Sequence, residues 1–163
     1  MGFISGEETG AEMLAVVYGM EEGMRALFER LSERVTDPEA RELFQTLSEL
    51  EVHHKQLIFN SYKVHGGEIE TIEEMDRVSS ADVIESGVSA EEVVDVFRPE
   101  TSSTEDVLSF AMMLETQALD LFLRYLNRSP DFDTQAVLME LAEQEKSHLK
   151  YLGELMDAKT DHP

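Results

Sequence analysis

Glu51-Val52-His53-His54 and Glu145-Lys146-Ser147-His148 are the two stretches whose reading decides the fold of this chain. Each sets a glutamate and a histidine three positions apart, on one face of a helix. Around them apolar residues recur at alternating three- and four-residue steps, the period of an amphipathic helix. Phe44, Leu47, Glu51, His54 and Ile58 make one such seam; Leu138, Leu141, Glu145, His148, Leu152 and Leu155 make another. Upstream of each lies a partner seam. The first is Leu14, Val17, Glu21, Met24, Phe28, Leu31 and Val35, and the second is Leu108, Ala111, Glu115, Ala118, Phe122 and Tyr125. Four helices are expected, at about 8–36, 38–65, 104–127 and 131–157. Their ends carry recognisable signals. Asp37-Pro38 reads as an N-cap with proline at the first helical position, and Gly66-Gly67 reads as a stop. Ser103 with Asp106 is an imperfect capping box, and Pro130 sits in a turn at 127–133.

The stretch 66–103 is different in kind. Residues 66–106 hold 13 Asp+Glu against Arg77 and Arg98, with short helices expected at 81–85 and, capped by Ser89, at 90–96. It has to lead from the end of the second helix back to the start of the third. Two helical hairpins joined by one long crossover make an all-α four-helix bundle, read as a single domain over 1–163. An internal repeat supports the pairing. A shift of 94 residues lays Glu21 on Glu115, Leu27 on Leu121, Phe28 on Phe122, Leu47 on Leu141, Glu51 on Glu145 and His54 on His148.

Six ionisable residues thus stand on seams where a bundle wants Leu or Ile: Glu21, Glu51, His54, Glu115, Glu145 and His148. Glu21 and Glu51 are 30 residues apart across one turn, as are Glu115 and Glu145 across the other. Each of the first pair lies roughly 21–24 Å from its turn at 1.5 Å per residue, so antiparallel helices bring the two level. A buried unpaired carboxylate costs several kcal/mol, and four together raise one another's pKa. Such a cluster calls for positive charge. Carboxylate oxygens with imidazole nitrogens suit iron or manganese, and two divalent ions neutralise four carboxylates.

The order Glu, Glu-x-x-His, Glu, Glu-x-x-His resembles the ferritin-like superfamily of di-iron carboxylate proteins. Within it the chain is similar to the rubrerythrin group, with a ligand set close to that of bacterioferritin. The resemblance implies that Glu21 and Glu115 are terminal ligands, that Glu51 and Glu145 bridge two irons, and that His54 and His148 each cap one. Manganese or a mixed pair is the alternative filling. It further implies an oxidoreductase that reduces hydrogen peroxide or dioxygen, with ferroxidase activity as a related outcome. The departures are specific. Rubrerythrins usually carry a four-cysteine rubredoxin-like domain, and this chain has no cysteine, so an external electron donor is expected. Ala118 stands where the group resembled has an extra glutamate, and Phe28 and Phe122 stand where many members have tyrosine. Only seven residues follow Met156, which argues against the fifth helix of a mineral-storing cage.

Composition narrows the field from the other side. With 35 Asp+Glu against 13 Lys+Arg the net charge is −22, which repels nucleic-acid phosphates and anionic membrane surfaces. No apolar run is long enough to span a bilayer, and residues 1–10 lack a signal-peptide pattern. A cytoplasmic homodimer is expected. Two other functions stay open at this point: iron binding or storage without turnover, and a metal-independent interaction module that docks through the acidic crossover. Glu22 is the register alternative to Glu21, while His53, His65 and His162 fall off the seams. Tyr18, Gly19 and Gly23 surround Glu21 as candidates for shaping access to it, with helix packing as the plain alternative. Met112, Met113 and Met139 read as core filler.

Overall fold

The computed structural model describes residues 7–79 and 90–161. Among these residues there are six helices and no strand: α1 (Gly10–Arg34), α2 (Pro38–Val64), α3 (Ile72–Val78), α4 (Ala90–Phe97), α5 (Thr104–Arg128) and α6 (Phe132–Thr160). The long helices α1 with α2, and α5 with α6, form two antiparallel hairpins, and α3 and α4 belong to the crossover between them. This is an all-helical architecture compatible with a ferritin-like bundle. The expected helix at 81–85 and its neighbour's cap Ser89 lie outside the described residues.

Local chemistry sets the ends. Thr9 accepts from the Glu12 amide while the Glu12 carboxylate accepts from the Thr9 amide, a capping box that starts α1 at Gly10 rather than at residue 8. Val35 is already extended, and Asp37 accepts from the Ala40 amide to cap α2, so α1 ends at Arg34 rather than at 36. α2 stops because Gly66 takes φ +81°, a conformation that favours glycine. Gly67 is needed for another reason: a Cβ there would lie 2.1 Å from the Tyr62 ring. α6 runs to Thr160, three residues past the expected end, and Lys159 near that end pairs with Asp37 (2.9 Å) and Glu39 (2.7 Å).

Every expected seam residue is buried except Tyr125 and Leu155, which lie half-buried towards helix ends. The core divides into two apolar layers. One gathers Leu27, Phe28, Leu31, Phe44, Leu47 and Leu108; the other gathers Leu14, Val17, Ile58, Phe122, Leu138 and Leu141. The level between them is the level of the six ionisable residues. Met112 is half-buried against the first layer, but Met113 and Met139 are exposed and fill no core. Their positions fall on the outward faces of α5 and α6, off the seams.

The crossover is fastened by charge. Arg34 near the end of α1 pairs with Asp95 and, at 2.8 Å, with Glu100, while Lys63 of α2 reaches Glu70 at 3.1 Å. Exposed pairs of this kind contribute little individually, about 0–1 kcal/mol. Burial of Met75 and Val94 anchors α3 and α4 more firmly.

Candidate metal centre

The structure brings all six residues together, none more than 2% exposed. α1 presents Glu21, α2 presents Glu51 and His54, α5 presents Glu115, and α6 presents Glu145 and His148. His54 Nδ1 lies 2.7 Å from Glu21 Oε2, 3.0 Å from Glu51 Oε2 and 3.4 Å from Glu145 Oε1. His148 Nδ1 lies 3.1 Å from Glu115 Oε1 and 3.3 Å from both Glu51 Oε1 and Glu145 Oε2.

These distances resolve into two overlapping groups. Glu21, Glu51, His54 and Glu145 form one, and Glu51, Glu115, Glu145 and His148 form the other. Within each group one ligand atom from every residue falls within 4.8 Å of the rest. Only Glu51 and Glu145 belong to both. That sharing is what two carboxylates set between two cations require.

Hydrogen bonding leaves the cluster incomplete. Both oxygens of Glu51 and of Glu145, Oε2 of Glu115 and Nε2 of His54 are buried without a hydrogen-bond partner. Atoms so placed normally cost about 1–3 kcal/mol each, more when charged. Electrostatics gives the same picture. Burial, reinforced by the neighbouring carboxylates, pushes the Glu21 and Glu115 carboxyls well above the usual range. Burial acts on Glu51 and Glu145 as well, but there proton-bearing neighbours outweigh it and hold both low. Burial disfavours the charged imidazoles, yet the surrounding carboxylates raise both, His148 to about 12. Without a cation the cluster holds itself together only by retaining protons. The donor set, four carboxylates and two imidazoles, fits a pair of divalent ions that would take their place.

The remaining candidates fall elsewhere. His53 is exposed, and His162 is outside the described residues. His65 uses Nδ1 on the Ser61 carbonyl (2.8 Å) and Nε2 on Asp131 (3.1 Å), tying the end of α2 to the cap of α6. Tyr18 is fully buried, but its hydroxyl donates to Asp76 of α3 at 2.6 Å, so it turns towards the crossover. Gly19 faces open space, with no atom within 4 Å of a Cβ added there, so helix packing does not explain it. Gly23 is buried.

Sequence reasoning missed a polar network beside the cluster. Glu22 and Lys55 each follow a seam residue by one position, and both are buried. Lys55 Nζ lies 2.5 Å from Glu22 and 2.8 Å from Asp76, and Glu22 also receives Arg25 at 2.8 Å. Lys55 further sits 5.3 Å from the centroid of the Tyr18 ring. A signal for α3 was present in Thr71-x-x-Glu74, where Thr71 accepts from the Glu74 amide.

A family model, rubrerythrin, matches residues 12–156, a span that takes in all six clustered residues. Neither a curated protein nor a solved structure matches the chain.

Proposed function

Since the chain belongs to the rubrerythrin family, we propose that it is a di-iron oxidoreductase that reduces hydrogen peroxide or dioxygen. The observation that carries this reading is the sharing of Glu51 and Glu145 between two buried ligand groups. In it, Glu21 and His54 would hold one ion, Glu115 and His148 would hold the other, and Glu51 and Glu145 would serve both. A bound iron pair supplies two electrons at one place, which is the requirement for converting peroxide and two protons to two waters.

The chain's own residues have three tasks. The carboxylates balance the charge of the ions, four negatives for two divalent cations. The apolar layers on either side, Phe28 and Leu47 on one and Phe122 and Leu141 on the other, exclude bulk water. The imidazoles, fixed between carboxylates, would supply a nitrogen ligand to each ligand group. Because the chain has no cysteine, the reducing electrons come from an external donor. Phe28 and Phe122 offer no hydroxyl, so no tyrosine takes part from those positions.

The test is anaerobic loading with ferrous ion, followed by metal analysis and separate additions of dioxygen and peroxide, with absorbance recorded. Two irons per chain and rapid oxidation by one oxidant, repeated when a reductant is supplied, support the proposal. A single oxidation that traps the iron would instead favour storage. Absence of metal binding would return the chain to an interaction role.

A further inference from the structure

Glu21 has a second neighbour besides the cluster. A cavity of about 370 Å³ opens between α1 and α5, and Glu21 forms part of its wall. Met20 and Met24 from α1, with Leu114, Ala118, Leu121 and Phe122 from α5, make the rest of its interior. Gln117, Asp120 and Arg124 are exposed and stand at the rim.

Size is the first clue to its occupant. Dioxygen and peroxide are two heavy atoms each. At the ~30 Å³ that a water claims in the liquid, this space takes about a dozen non-hydrogen atoms. It lies within the range of small-molecule pockets, roughly 300–1,000 Å³.

The lining is the second clue. Apart from Glu21, the interior is two flexible methionines, an alanine, two leucines and a phenylalanine, which replace none of an ion's water, so most of the space suits an apolar occupant better than a resident hydrated cation. Anions are disfavoured too. The chain carries −22, and the rim's one cation, Arg124, is already paired with Asp120 at 2.6 Å. What remains is a neutral molecule with an apolar body. Gln117 at the rim provides both a donor and an acceptor for one polar group.

We propose that this cavity binds a small, neutral, largely apolar organic molecule against Glu21, beside the centre. The binding stands on the cavity, while its bearing on the centre rests on the di-metal reading above. Ala118 is the residue that makes the room. It is 6% exposed and sits one helical turn after Glu115, on the cavity wall. A larger side chain there fills the space.

The experiment uses 1-octanol as the probe, titrated calorimetrically into the full chain with and without bound metal, alongside metal analysis of each sample. Wild-type protein is expected to bind one octanol. Ala118→Leu is expected to weaken that binding at least tenfold while the helical circular dichroism is retained. Met24→Ala, on the opposite wall, is expected to shift preference from 1-octanol towards 1-decanol, which gives a gain rather than a loss to look for. No octanol binding up to its solubility limit, or equal binding by Ala118→Leu, overturns the inference. So does a result in which the wall variants change only the rate of ferrous uptake, since the cavity is then an ion entrance. Two metals bound with no octanol bound removes this inference and leaves the functional proposal standing. Octanol bound by a chain that retains no metal removes the functional proposal and leaves the binding site.

Discussion

The imidazole rings of His54 and His148 lie parallel, 4° between their planes and 5.2 Å between their centroids. They are the same position of a 94-residue repeat. Each is surrounded by carboxylates from more than one helix.

The first prediction follows from the shared carboxylates. Glu51→Ala takes a ligand from both groups, whereas Glu21→Ala takes one from a single group. The first should lower affinity for both ions, by at least about 100-fold, because even residues that only support ligands are worth 10–100-fold. The second should leave one ion held more tightly than the other. Equilibrium dialysis with metal analysis reads both. Equal loading of Glu51→Ala and wild type would refute the ligand assignment.

The second concerns pH. In the metal-free protein His148 is raised from 6.5 to about 12, and His54, Glu21 and Glu115 are raised as well. The folded form therefore binds more protons than the unfolded form near neutrality, and stability falls as pH rises. The contribution of His148 is fully present below pH 6.5 and is lost progressively towards about 12. Denaturant titrations should show the metal-free chain weaker at pH 8 than at pH 6.5. Divalent metal should flatten that slope and release protons on binding, measurable by calorimetry in buffers of different ionisation enthalpy.

A third prediction separates the buried network from the surface ion pairs. Lys55→Ala strips the partner from Glu22 and Asp76 and should destabilise by about 3 kcal/mol, the lower end for a broken buried pair. Arg25 keeps hold of Glu22 and softens the loss. Tyr18→Phe removes one hydrogen bond and should cost about 1 kcal/mol. Hydrogen exchange of α3 should quicken in both, since Asp76 carries the contact.

Two glycines should respond in opposite directions. Gly19→Ala meets nothing within 4 Å and should stabilise α1 by about 1 kcal/mol. Gly67→Ala drives a methyl into Tyr62, a buried ring whose hydroxyl accepts from the Ile69 amide, and should cost about 2 kcal/mol. Thermal denaturation of the two variants gives the sign directly.

Much of this was legible in one dimension. Seam spacing placed Leu14, Phe44, Leu108 and Leu138 inside, and the 94-residue shift matched Glu51 with Glu145 before any coordinates. Capping chemistry is local, so Asp37, Ser103 and Gly66 could be read where they stand. What escaped was relational. Lys55 is buried because Asp76 arrives from the crossover, 21 positions later, and no period encodes that meeting. The cavity is walled by Met24 of α1 and Ala118 of α5 together, a meeting of two helices rather than a motif in either. Met113 and Met139 are apolar yet exposed, because apolar character alone does not say which face of a helix a residue occupies.

Lys55, Glu22 and Tyr18 have no counterparts in the second half, where the 94-residue shift finds Leu149, Thr116 and Met112. The ligand sets of the two ion positions are twins, but their surroundings are not. The group with Glu21 has the buried Lys55–Glu22 pair and the cavity beside it; at the matching places of the other group Thr116 is exposed and Leu149 and Met112 are half-buried. Two ions held there would therefore not be equivalent, and the one beside Glu21 would be expected to differ from its twin in affinity, and so in the order in which the pair fills.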